Sequence, residues 1–223
     1  MFKNDDLVAE PGTQFSYTTH GLTLASAVME KAADKTFPNL VKELLFDLGM
    51  RNTYLDSNST IINNRTGYYR RNEKHVLENC PEVDCSYKWA GGGIISNVSD
   101  LLVFANAILY SVQSISNNDA LITNLTILKF FEPQISVDSK VCAALGWFLV
   151  GGNELKSMKG KKSTGGYFYH TGGAVGASSV LLVRPSENEK QGKPSGNCVA
   201  ILCNLQDVSL ISLGHSIEEI FRE

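Results

Sequence analysis

The chain's 223 residues (24.4 kDa) are 43% hydrophobic and 19% charged, which excludes a disordered or fibrous protein. A net charge of −3 and a pI of about 5.8 give no basic footprint for nucleic acid. No apolar run approaches the roughly 20 residues that span a bilayer.

The opening Met1-Phe-Lys-Asn-Asp-Asp is polar and acidic, unlike a targeting peptide, and the expectation is the interior of a longer protein or an unusual gene model. Residues 19–33 place Leu22, Ala25, Met29 and Ala32 on one face of a helix. A second helix over 38–48 has Pro38 at its first position and Gly49 just past its end, with Leu40, Val41, Leu44, Leu45 and Leu48 as the buried stripe. Residues 50–88 read as an irregular excursion with a short hairpin around 63–76. Residues 97–110 form the clearest helix, capped by Ser96, and a weaker one over 121–131 ends at Pro133.

The second half reads as strands over 145–150, 167–171, 177–183 and 198–204, joined by loops and therefore antiparallel. A closing helix from Asp207 should bury Leu210, Leu213, Ile217 and Ile220. The organisation expected is α+β: a mostly helical region over 1–135 and antiparallel strands with a final helix over 136–223, interleaved as one incomplete domain. Three or four strands make a thin sheet with one face short of cover.

The five cysteines are an odd number without metal-ligand spacing, so free thiols in a reducing compartment are expected, with no metal and no cofactor. The Asn-x-Ser/Thr triplets at Asn58, Asn64, Asn97 and Asn124 are then chance matches. Lys156, Lys159, Lys161 and Lys162 form a small basic loop, read as solvated.

Three segments stand out: Pro11-Gly-Thr-Gln-Phe-Ser-Tyr17-Thr-Thr-His-Gly, Tyr87-Lys-Trp-Ala-Gly-Gly-Gly93, and His170-Thr-Gly-Gly-Ala-Val-Gly-Ala-Ser-Ser-Val180. Singly they are weak. A Tyr opening a helix usually packs, a Gly triplet is usually a turn, and a His on a strand is usually structural. Together, in this order, they resemble the serine β-lactamase and penicillin-binding-protein-like hydrolases, the class C-like group. The resemblance runs from about residue 7 to the C-terminus. It is strongest to eukaryotic mitochondrial members, which implies a mitochondrial or otherwise intracellular location. It also implies a β-lactamase/transpeptidase-like fold whose N-terminal part is missing here.

In that family a Ser-x-x-Lys opens a helix, and its Ser, a poor nucleophile at its free pKa, is activated by neighbouring bases. By resemblance Tyr17 is the acid/base Tyr and His170 stands where β-lactamases have Lys. Thr171, Gly172 and Gly173 line the substrate and oxyanion edge, and Thr19 replaces a polar Asn. A His is no fixed cation near neutral pH, so esterase or peptidase chemistry is expected over β-lactam hydrolysis. No Ser in the chain is followed three residues on by Lys; Thr126-Ile-Leu-Lys129 is the nearest pattern and follows the Tyr motif instead of preceding it. The expectation is a fragment of a hydrolase of peptides, amides or esters, inactive alone. The alternatives are a non-catalytic scaffold that self-associates through uncovered sheet surface, and a small-molecule-binding module.

Overall fold

The computed structural model describes residues 4–113, 120–151, 166–186 and 195–221. The basic loop, with all four of its lysines, lies outside the described residues.

Helix α1 (Thr19–Ala33) opens on Thr18, whose hydroxyl accepts from the His20 N–H at 3.2 Å, and closes on Asp34 in the left-handed region. Helix α2 (Phe37–Leu48) has Pro38 in its first turn and ends on Gly49 at φ 74°. The Glu30 carboxylate of α1 accepts from the Phe37 N–H at 2.7 Å, so one helix caps the other. The orientation of α1 differs from expectation. Thr23, Ser26 and Glu30 are its half-buried residues, whereas Leu22, Leu24, Val28 and Met29 are exposed. The helix rests on a tight turn, Trp89–Gly91, where a Cβ on Gly91 would lie 2.8 Å from the Thr19 carbonyl oxygen. So close a backbone approach leaves no depth for Leu or Met.

Strand β1 (Tyr54–Leu55) pairs with β4 (Ile94–Ile95), and β2 (Tyr69–Arg71) with β3 (Leu77–Asn79). The β2–β3 hairpin lies further along the chain than the 63–76 expected. It turns through His75 at φ 58°, and Tyr69 ties it to residues 204–206, at the end of the main sheet, by bonds with Asn204 and Gln206. Helix α3 (Val98–Gln113) is capped by Asn97, whose side-chain oxygen accepts from the Asp100 N–H at 2.8 Å. Ser96, the expected cap, pairs with the Thr53 hydroxyl at 2.8 Å. Helix α4 (Asn124–Phe130) is shorter than predicted because Thr123 caps it.

Among the described residues the main sheet has six antiparallel strands in a simple meander: β5 (Ile135–Ser136), β6 (Val141–Ala143), β7 (Phe148–Val150), β8 (Tyr167–Ala174), β9 (Ala177–Pro185) and β10 (Gly196–Cys203). Two of these, β5 and β6, escape a hydrophobicity pattern because each is too short to show an alternation. One face packs Val183, Phe168 and Leu149 against Ala105, Ile108 and Ile127 of α3 and α4. Phe168 stacks on Phe131 with centroids 3.9 Å apart.

The opposite face of β9–β10 is covered by helix α5 (Ile211–Ile220), so this part of the sheet is packed on both sides, contrary to the thin sheet expected. The buried face of α5 also differs from expectation. Gly214 and Glu218 are its buried residues and Leu210 just ahead of it is buried too, whereas Leu213 and Ile220 are exposed. Gly214 brings the helix onto Val180 (3.4 Å from a built Cβ), and Arg184 of β9 draws Glu218 inward at 2.7 Å. A rule that keeps charge on the outside inverts such a helix.

Candidate active site

Tyr17 sits two residues ahead of α1 at the end of a loop that begins with a turn, Thr13 N–H to Glu10 O at 3.1 Å. Phe15 anchors this loop, its ring edge-on to Phe148 of β7 at 5.8 Å. Tyr17 is 55% exposed, and its ring lies 6.1 Å from the imidazole of His170 in β8, tilted by 48°. Folding thus brings together two side chains far apart in sequence.

The His170 ring has a defined chemistry. Its Nδ1 is 2.6 Å from the carbonyl oxygen of Thr171. A carbonyl only accepts, so Nδ1 carries the proton and Nε2 of the neutral ring keeps a lone pair. Phe148 lies against the same imidazole at 5.4 Å, tilted by 36°.

Thr171, Gly172 and Gly173 follow on β8 and are exposed. They pair with Val180, Ser179 and Ser178 of β9. On its other side β8 is paired to β7 only through residues 167–169. Among the described residues, the edge of β8 from 170 to 174 is therefore unpaired on that side and presents backbone donors and acceptors beside Tyr17 and His170. Gly173 has open space where a Cβ would be, whereas a Cβ on Gly172 would collide with the Ser179 hydroxyl.

Thr19 is placed differently: as the first residue of α1 it packs its backbone on Gly91, and its carbonyl accepts from the Thr23 hydroxyl at 3.2 Å. Trp89 donates its indole N–H to the Asp56 carbonyl at 2.6 Å, and Trp147 packs into the core beside Phe131 and Phe168. Thr126 and Lys129 lie on α4, and Thr126 is taken up in the cap of that helix. Burial, aided by the Asp138 charge, raises the pKa of the neighbouring Tyr169 phenol. Sequence reasoning missed Phe15 and Phe148. An aromatic two positions before the motif Tyr was visible, but only the fold reveals its partner.

Among the described residues no group of three or more His, Cys, Asp or Glu could hold a metal ion, and no helix is long and apolar enough to cross a membrane.

The sequence profile of the family described as "Beta-lactamase" matches residues 1–218. The chain belongs to the β-lactamase family. It is 41% identical over 229 aligned positions to "Serine beta-lactamase-like protein LACTB, mitochondrial" of Mus musculus, covering 95% of this chain and 41% of that protein. The chain thus spans well under half the length of this curated relative. The D-stereospecific amidohydrolase from Streptomyces sp. superposes with a TM-score of 0.71 at 17% identity, covering 96% of this chain and 57% of that one. The octameric penicillin-binding protein homologue from Pyrococcus abyssi gives 0.68 at 18% identity, covering 96% and 44%. These two likenesses establish the β-lactamase/transpeptidase-like fold, of which this β-lactamase-family chain represents a part.

Proposed function

We propose that this chain supplies the acid–base side of a serine hydrolase site that cleaves peptide, amide or ester bonds through an acyl-enzyme. Tyr17 exchanges a proton with the attacking and leaving groups, and the Nε2 lone pair of His170 accepts from the phenol or orients it. The unpaired edge at Thr171–Gly172–Gly173 binds substrate backbone, and Gly173 N–H serves the developing oxyanion. The carrying observation is the 6.1 Å approach of the Tyr17 and His170 rings.

A His in place of a Lys offers no fixed positive charge, which favours esters and peptides over the carboxylate of a penicillin. Without a Ser-x-x-Lys in its 223 residues, the chain alone does not form the acyl-enzyme. Its relatives are mitochondrial proteins, and the same location is proposed here.

The test has two parts. A fluorophosphonate probe should leave the isolated chain unlabelled; one stoichiometrically labelled Ser overturns its inactivity. A chimera in which the chain replaces the matching region of the mouse relative should hydrolyse p-nitrophenyl esters. Tyr17→Phe in that chimera should lower kcat by about 100-fold or more. An unchanged kcat removes Tyr17 from the mechanism.

The exposed Leu22, Leu24, Val28 and Met29 of α1 favour a second reading, a scaffold that self-associates. The octameric assembly of the Pyrococcus homologue is in keeping with it. Sedimentation of the isolated chain as a monomer at all concentrations would count against it.

A further inference from the structure

Phe148, the first residue of β7, stands outside the hydrophobic core cluster. Its neighbour Leu149 is fully buried and belongs to the core, and Trp147 packs against it; Phe148 belongs to neither set. Its ring instead touches three others: His170 at 5.4 Å, Phe15 at 5.8 Å edge-on, and Tyr169 at 5.6 Å. Phe15 is two residues from Tyr17, and Tyr17 returns to His170 at 6.1 Å. The contacts therefore close a loop from Phe148 through Phe15, the Tyr17 segment and His170 back to Phe148.

The loop supplies what hydrogen bonds do not. Among the described residues the His170 ring makes its hydrogen bond, Nδ1 to the Thr171 carbonyl at 2.6 Å, to the next residue on the same strand. It selects the tautomer but leaves the ring to be steadied by packing. Tyr17, more than half exposed, is held by its ring contact with His170 and by the Phe15 anchor. We propose that Phe148 is a positioning residue: its ring clamps the His170 imidazole on one side and the Phe15 anchor on the other, and so sets the distance between the Tyr17 hydroxyl and His170 Nε2. This rests on reading Tyr17 and His170 as the acid–base pair.

The test is NMR of the 223-residue chain, which needs no turnover. Wild type should show NOEs between the Tyr17 and His170 ring protons, and long-range ¹H–¹⁵N couplings of a single Nδ1–H tautomer. In Phe148→Ala the NOEs should vanish and the two His170 nitrogens should average between tautomers, with amide signals of α3, α4 and β9 unmoved. Phe148→Tyr should restore both signatures; Phe148→Leu, which keeps apolar bulk, should restore neither fully. NOEs and tautomer unchanged in Phe148→Ala would overturn the clamp. So would global loss of amide dispersion in both the Ala and Leu variants, because Phe148 would then be structural only. In the chimera, Phe148→Ala should lower kcat about tenfold with KM within twofold, and Phe148→Tyr should recover it. A chimera that hydrolyses nothing while these NMR signatures hold counts against the hydrolase reading and for the clamp.

Discussion

Arg184 Nε of β9 lies 2.7 Å from Glu218 Oε1 of α5, and Glu218 is only 1% exposed. The Arg184 guanidinium also sits over the Tyr167 ring at 4.6 Å, and Asn197 approaches the same carboxylate at 3.4 Å. A buried pair of this kind adds little over an apolar pair, but removing one partner strands the other charge. Glu218→Ala should therefore destabilise the chain by about 3–5 kcal/mol. The double replacement Arg184→Met with Glu218→Leu should cost clearly less. Urea midpoints for Arg184→Met, Glu218→Leu and their double check this; additive losses would mean that the pair is not coupled.

Asp100, buried in the first turn of α3, accepts from the Asn52 N–H at 2.8 Å and the Thr53 hydroxyl at 2.7 Å. It thereby ties the segment leading into β1 to α3 and sits at the helix end that favours negative charge. Asp100→Ala should lower stability by roughly 2–3 kcal/mol, since two bonds to a charged acceptor are lost. Calorimetry would read this as a lower Tm.

Burial pushes the Cys198 thiol from an ordinary 9.0 up to about 12. At neutral pH its thiolate fraction should be about a thousandfold below that of an ordinary thiol. Iodoacetamide should accordingly modify it far more slowly than the other cysteines, as peptide mass mapping would record. The raised value also sets a sign. Below pH 9 both states hold the proton and this contribution is fully present. Above it the unfolded chain releases the proton while the folded chain keeps it, so stability falls toward pH 12, by at most about 1.4 kcal/mol per pH unit. Cys198→Val should flatten that decline in denaturation curves taken from pH 8 to 11.

Gly176 turns the chain between β8 and β9 at φ +75°, and a Cβ there would lie 3.0 Å from Cys80 Sγ and closer still to Tyr68. Gly176→Ala should cost more than about 1 kcal/mol, through the left-handed backbone and displacement of the segment leading into the β2–β3 hairpin. Gly173→Ala meets no atom within 4 Å and should change stability by less than about 0.5 kcal/mol. In the chimera the same change should still slow hydrolysis, because a methyl beside the open edge obstructs the substrate.

Local signals in the sequence were strong where one residue type suffices. Pro38 and Gly49 around α2, and the apolar runs of β8, β9 and β10, are legible without a fold, because helix stops and strand patterns act over a few residues. Family membership was legible for the same reason, in three ordered motifs. Ser96 and Asn97 are both good caps, and the choice between them fell to Thr53, which occupies the Ser96 hydroxyl. The strands β5 and β6 are too short to carry a period.

What the sequence determined by itself was element type, strand direction and the identity of Tyr17 and His170 as the residues to watch. Only the tertiary structure decided how the helices rotate and which rings meet at His170. Arg184 turned α5 to bury Glu218, Gly91 turned α1 to leave its leucines outside, and Phe148 met Phe15 and His170. Each depends on a partner distant in the chain, and hydrophobic periodicity contains no information about partners.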